Sequence, residues 1–127
     1  MMPNEALADL LELSAQVRDV AILGESGFVL ASSGTVEQGE RLARVASDLL
    51  DAAGDLRPAE EVSRIEVRCD GATVFLVREG GYVAIATANP DSVAGLMIYD
   101  LRTMVGQVDT APSTRPSRKK GKDASDA

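Results

Sequence analysis

Apolar and charged residues alternate most regularly within residues 62–88, and this stretch predicts a three-stranded antiparallel meander. Residues 64–70 alternate one by one, as in a strand with one buried and one solvated face. The run 73–77 is apolar on both faces, which is typical of a strand covered from two sides. Asp70-Gly71 and Gly80-Gly81 divide the stretch as tight turns, and Asp70-Gly71 is the dipeptide expected in a type I′ hairpin.

The residues before the meander predict a helix, a hairpin and a long second helix. Apolar spacing favours a helix over 4–14, followed by strands at 17–23 and 28–31 with a Gly-rich turn between them. Thr35 and Gln38 match a capping box, which opens a helix that we expect to reach about residue 56.

A last helix is predicted after the meander. Asn89 is the expected N-cap and Pro90 the first helical residue. Val93, Leu96 and Met97 begin its apolar face, and the helix is expected to end near residue 106.

The long helix over 35–56 is apolar around roughly half of its circumference, more than one packing surface requires. Its bulky side suits a sheet face, and its small-residue side allows a second helix to approach closely. We therefore predict a homodimer through this helix, although alanines also favour helices that have no partner. The predicted interface consists of Gly39, Leu42, Ala43, Ala46, Leu50 and Ala53.

Length and composition indicate one aliphatic domain. The chain has 127 residues, 45% of them apolar but only 3% aromatic. A single cysteine excludes an intramolecular disulfide, and no apolar run approaches the roughly 20 residues of a membrane span. We find no candidate secretory segment and expect a cytoplasmic protein.

Charge divides the chain into an acidic domain, residues 1–107, and a basic tail, residues 108–127, which is expected to be disordered. The domain has 8 Arg and no Lys against 17 Asp and Glu, a net charge of −9, which disfavours nucleic-acid binding. The tail has 5 basic against 3 acidic residues, a net charge of +2. It is either a solubilising terminus or a weak tether to anionic lipid or an acidic partner, and phosphorylation of Ser117 would nearly cancel its local charge.

The side-chain inventory favours a protein that is not an enzyme. The chain has no histidine, the usual general base and the commonest metal ligand, and the domain has no lysine to complete a phosphate-binding loop. Residues 24–27 are therefore a turn. Cys69 continues the alternation of residues 64–70 and is expected to be buried. The sequence predicts no catalytic, metal-binding or cofactor-binding residue.

Four arginines form a possible partner surface on two of the predicted elements. The alternative is a solvated role, in which Arg44 pairs along its helix with Glu40 or Asp48. The four are Arg41, Arg44, Arg64 and Arg68.

The element order α-β-β-α-β-β-β-α, with five antiparallel strands and helices on both faces, resembles the Roadblock (dynein light-chain-like) family. The resemblance spans residues 5–107. It rests on the hairpin 20–33, on the long helix and meander that follow, and on the Gly-Leu and Asp-Leu-Arg pattern of residues 95–102.

This resemblance implies a profilin-like α/β sandwich that dimerises through its central helix and the adjoining edge strand. It also implies a non-catalytic regulator or scaffold of a bacterial Ras-like small GTPase, acting by protein–protein contact and without a cofactor. Two alternatives are a small-molecule-binding sensor, with a cavity at the small residues of strand 82–88, and a heterodimeric scaffold subunit.

Overall fold

A computed structural model describes residues 1–108, and the predictions for the tail beyond them lie outside the described residues. Three helices and five strands follow one another in the predicted order. They are α1 (Pro3–Leu13), β1 (Val17–Leu23), β2 (Val29–Ser32), α2 (Val36–Leu56), β3 (Arg64–Arg68), β4 (Thr73–Glu79), β5 (Tyr82–Ala88) and α3 (Ala94–Val108).

The strands form one antiparallel sheet in the order β2-β1-β5-β4-β3. β3, β4 and β5 are consecutive neighbours, which confirms the predicted meander, and β1 joins the first hairpin to β5. β2 and β3 are therefore the edge strands. The sheet and its helices confirm the predicted fold class, an α/β sandwich.

Apolar residues on the two faces of the sheet form two separate clusters. α1 and α3 cover one face, where Phe75 and Leu101 are buried together. α2 covers the other face, where Leu76 and Ile85 are buried. β4 supplies both clusters with alternate residues, which confirms the prediction of a strand covered from two sides.

The two turns of the meander differ from each other. Gly80 and Gly81 have φ of 61° and 86°, the left-handed values that a type I′ turn requires. Asp70-Gly71 is also a two-residue loop, closed by a hydrogen bond from the Cys69 N–H to the Ala72 carbonyl, but Gly71 is not left-handed. The type I′ prediction for this turn is therefore wrong.

A side chain from β1 holds the Asp70-Gly71 turn. Arg18 Nη1 donates to the Gly71 carbonyl at 2.7 Å, and Arg18 Nε donates to Asn89 Oδ1 at 3.0 Å. Cys69 itself is exposed, contrary to the prediction, because β3 ends at Arg68 and the alternation of faces ends with it.

The start of α3 also differs from the prediction. The Ser92 N–H donates to the Asn89 carbonyl, so Pro90 lies in a turn, and the helix begins four residues after Pro90. Val93 and Leu96 are consequently 64% and 54% exposed and do not join the buried face of the helix.

Candidate interaction surfaces

The start of α2 is fixed by the predicted capping box. The Gln38 N–H donates to Thr35 Oγ1 at 3.1 Å, and the Thr35 N–H donates to Gln38 Oε1 at 2.9 Å. From this start α2 packs mainly over β2, β1 and β5. It therefore leaves β4 and β3 less covered on the same face of the sheet.

The small-residue side of α2 lies against the sheet of its own chain. Gly39 is buried so closely on β2 that an added Cβ would lie 2.6 Å from Ser32 Oγ and 2.9 Å from Ser32 Cβ. Leu42 and Ala46 are buried beside it in the cluster on that face. The absence of a side chain at position 39 thus allows the helix to approach the strand.

The sheet covers the middle of the apolar arc, not its bulky side alone as the sequence analysis assigned, and buries both Leu42 of the bulky side and Ala46 of the small-residue side. Of the six residues predicted at the dimer interface, three are buried against the sheet and three are half-buried. Gly39, Leu42 and Ala46 are the buried ones, and Ala43, Leu50 and Ala53 are half-buried.

One flank of the apolar arc of α2 is more exposed than its middle. Val45, Leu49, Ala52 and Leu56 are spaced by three or four residues and so share one flank, which we call the outer flank. Val45 is 37% and Leu56 is 80% exposed, whereas Leu49 is half-buried against the sheet cluster.

Apolar residues of the outer strands lie on the same face of the sheet as the outer flank. Ile65 of β3 and Val74 of β4 are half-buried in the same cluster as Leu49. β3 is an edge strand, so one side of its backbone has no neighbouring strand in the sheet. An apolar helix flank and an open strand edge are therefore available on the same part of the molecule.

The four arginines of the possible partner surface lie in two separate places. Arg41 and Arg44 are exposed on α2. Arg64 pairs in register with Val77, whose side chain lies in the α1/α3 cluster, so Arg64 is on the opposite face of the sheet from α2. Arg68 shares that face, and its Nε lies 2.9 Å from Glu66 Oε2.

Arg44 does not form the pairs expected along the helix. Within residues 1–108 its guanidinium has no ion pair with Glu40 or Asp48. It instead lines two neighbouring cavities on the side of α2 that faces the β1–β2 turn.

These two cavities have volumes of about 710 and 500 Å³ and share Gly27, Ala43 and Arg44. We call them together the α2 groove. One wall is α2, and the other is built from the β1–β2 turn, the β4–β5 turn and residues 61–63. Sequence reasoning did not find this groove, because its walls come from four segments that only the fold brings together.

Most of the small residues of strand 82–88, at which the sensor alternative places a cavity, are packed in the core. Ala84, Ala86 and Ala88 are buried in the α1/α3 cluster. Of that strand, Val83 reaches the α2 groove. Among residues 1–108, no group of three or more His, Cys, Asp or Glu is arranged to hold a metal ion.

A comparison with known protein families identifies the family to which this architecture belongs. A family model described as the Roadblock/LC7 domain matches residues 3–89, from α1 through β5. The chain belongs to the Roadblock/LC7 domain family. No curated protein sequence matched it. Within the described part of this Roadblock chain, no helix has the length and apolar character needed to cross a bilayer.

Solved structures share the fold at low sequence identity. A Roadblock/LC7 domain from Streptomyces avermitilis superposes with a TM-score of 0.73 at 18% identity, covering 85% of this chain and 95% of the other. MglB from Myxococcus xanthus gives a TM-score of 0.62 at 12% identity, covering 84% and 87%. LokiProfilin1, crystallised with rabbit actin, gives 0.58 at 12% identity, covering 83% and 92%. The fold is thus the one that Roadblock domains share with profilins.

Proposed function

We propose that this Roadblock chain is a non-catalytic regulator or scaffold of a Ras-like small GTPase and works as a homodimer. The observation that carries the proposal is the apolar outer flank of α2, which lies on the same face of the sheet as Ile65 of the edge strand β3. Family membership and the likeness to MglB support a regulatory role of this kind.

The second copy is the proposed occupant of the outer flank. A two-fold axis brings the same patch of each copy together, so flank would pack on flank and β3 on β3. Edge strands left open tend to pair with other chains, and extended apolar surface is uncommon on monomers. Val45 and Leu56 supply apolar surface at the proposed contact.

The proposed GTPase-binding surface is the polar side of α2. Arg41 and Arg44 are exposed there, and neither has an ion pair within residues 1–108. Arg64 and Arg68 lie on the other face of the sheet, so one partner docked on α2 of the same protomer would not contact both pairs. The two pairs are therefore matched variants for testing this surface.

The chemistry of the chain supports contact rather than catalysis. The chain has no histidine, and its one cysteine lies in an exposed turn. The carboxylates at Glu37, Asp48 and Asp51 are on the exposed side of α2. Such groups are solvated, as is usual on the polar face of a surface helix.

The test is capture from the source cytosol on the immobilised full-length chain, with a GTP analogue or with GDP. The recovered GTPase is then purified, and its Kd for the chain is measured in both nucleotide states. We expect one state to bind at least about tenfold more tightly, a difference of about 1.4 kcal/mol.

The arginine variants locate the surface in the same assay. We expect R41A/R44A to weaken GTPase binding and R64A/R68A to leave it unchanged. Equal affinity for the two nucleotide states, or capture of no GTPase in either, would contradict the proposed regulatory function. Loss of binding in R64A/R68A alone would move the surface to β3.

A further inference from the structure

The α2 groove has the dimensions of a binding site for a chain segment. Its lining follows α2 from Val36 to Asp51, a helix length of about 22 Å. A segment of eight residues in extended conformation spans about 26 Å. The groove therefore accommodates a strand-like segment of about that length along the helix.

The floor of the groove is apolar. Leu23 and Val83 are buried there, and Leu50 and Ala43 line the helix wall. Long basic side chains cover this kind of surface with their methylene groups while their charged ends remain in water. The floor therefore suits lysine and arginine side chains laid along it.

The rim of the groove carries more acidic than basic side chains. Glu25, Glu40, Asp51 and Glu61 line it, and within residues 1–108 their carboxylates take part in no ion pair. A fifth rim carboxylate, that of Glu79, is paired with Arg102 of α3. The two arginines that line the rim, Arg44 and Arg78, offset two of the four unpaired negative charges, which leaves a net charge of −2.

α3 covers the opposite face of the sheet from α2 but contacts the rim of this groove through Arg102. Arg102 Nε donates to Glu79 Oε1 at 2.9 Å, and Glu79 lines the groove. Val108 is six residues further along α3, a distance of about 9 Å. Residues 109–114 separate Val108 from Arg115, and six residues can extend about 20 Å. The chain after Arg115 is therefore long enough to enter the groove.

We propose that the basic segment 115–122 of this chain docks in the α2 groove of its own domain. The segment contains five of the chain's thirteen basic residues and no acidic residue, so its charge complements the rim. Tethering keeps it at a high effective concentration near the groove. Docked there, it covers Arg44 and competes with any partner that contacts this side of α2.

Paramagnetic broadening in NMR spectra of the full-length chain tests this contact. A nitroxide is attached at position 26, on the groove wall, in an S26C/C69S variant. The matched control carries the nitroxide on the native Cys69, which is exposed at the other end of β4, about 20 Å or more from the groove. The backbone amide signals of the seven residues of the segment 115–122 other than Pro116, which has no N–H, are compared between the two samples.

We expect loss of these signals with the label at position 26 and retention with the label at Cys69. K119E/K120E should restore the lost signals. Raising the salt from about 0.1 to about 1 M should also restore them, because the Debye length falls from about 10 to about 3 Å.

Several results would overturn the proposal. Retained signals with both labels would show that the segment does not reach the groove. Equal loss with both labels would show that the segment contacts the domain without preference for the groove. Loss of the amide signals that occurs only when the nitroxide and the observed signals are on different copies in a mixed sample would assign the groove to the tail of a second molecule. Signals that broaden only on addition of anionic phospholipid vesicles would assign the segment to a lipid surface.

Discussion

Replacing Gly39 by alanine tests the packing of α2 on β2. Alanine favours a helix interior by about 1 kcal/mol over glycine. At position 39, however, its Cβ would lie 2.9 Å from Ser32 Cβ, a contact that side-chain rotation at Ser32 does not relieve. Over-packing of this kind costs about 1–3 kcal/mol. The net expectation is a loss of up to about 2 kcal/mol in the free energy of unfolding.

Gly54 of the same helix provides the matched control. An added Cβ there would meet nothing within 4 Å, so G54A should gain nearly the full helix preference, about 1 kcal/mol. Urea denaturation of the full-length chain measures both variants against wild type. The difference between G39A and G54A, expected to be about 1–3 kcal/mol, isolates the over-packing at Ser32.

A double-mutant cycle with Ser32 assigns the cause. S32G removes the atoms that the new Cβ would meet, so G39A in that background should behave like G54A. A G39A variant as stable as G54A in the wild-type background would refute the close approach of α2 to β2. So would a G39A cost that S32G leaves unchanged.

Two further predictions concern the turns and the α2 cap. G81A should lose about 1–2 kcal/mol because Gly81 has a φ of 86°, whereas G71A should be nearly neutral because Gly71 is not left-handed and has open space around it. Equal losses in thermal or urea unfolding would contradict the distinction between the two hairpins. T35A should lose about 1 kcal/mol of stability and T35D much less, because aspartate also accepts the Gln38 N–H. Equal stability of T35A and wild type would show that this cap contributes nothing.

Patterns within one segment were sufficient to predict most of the fold. The alternation in β3, the two-sided β4 and the capping box at Thr35 each depend on neighbours a few residues apart, and each is confirmed. The exposure of Cys69 was missed because alternation predicts faces only as far as a strand continues. The start of α3 was missed because Pro90 is equally compatible with a turn.

The interaction surfaces were less accessible to sequence reasoning. The apolar arc of α2 identified the apolar surface of the helix, but not which part of that surface meets the sheet. That choice depends on the contact between Gly39 and Ser32, which belong to different elements. The α2 groove likewise depends on four segments meeting at one end of the sheet.

Sedimentation equilibrium of the full-length chain tests the central claim most directly, that the outer flank of α2 joins two copies. Leu56 and Leu13 are a matched pair, each the last residue of a helix and 80% and 82% exposed in the single chain. Burial of a leucine in an interface contributes about 1.5–3 kcal/mol, and a two-fold dimer loses one leucine from each copy, so L56E should raise the dimer Kd by about 100-fold or more. L13E should leave it unchanged. A monomeric wild type, or equal effects of the two variants, would contradict the account.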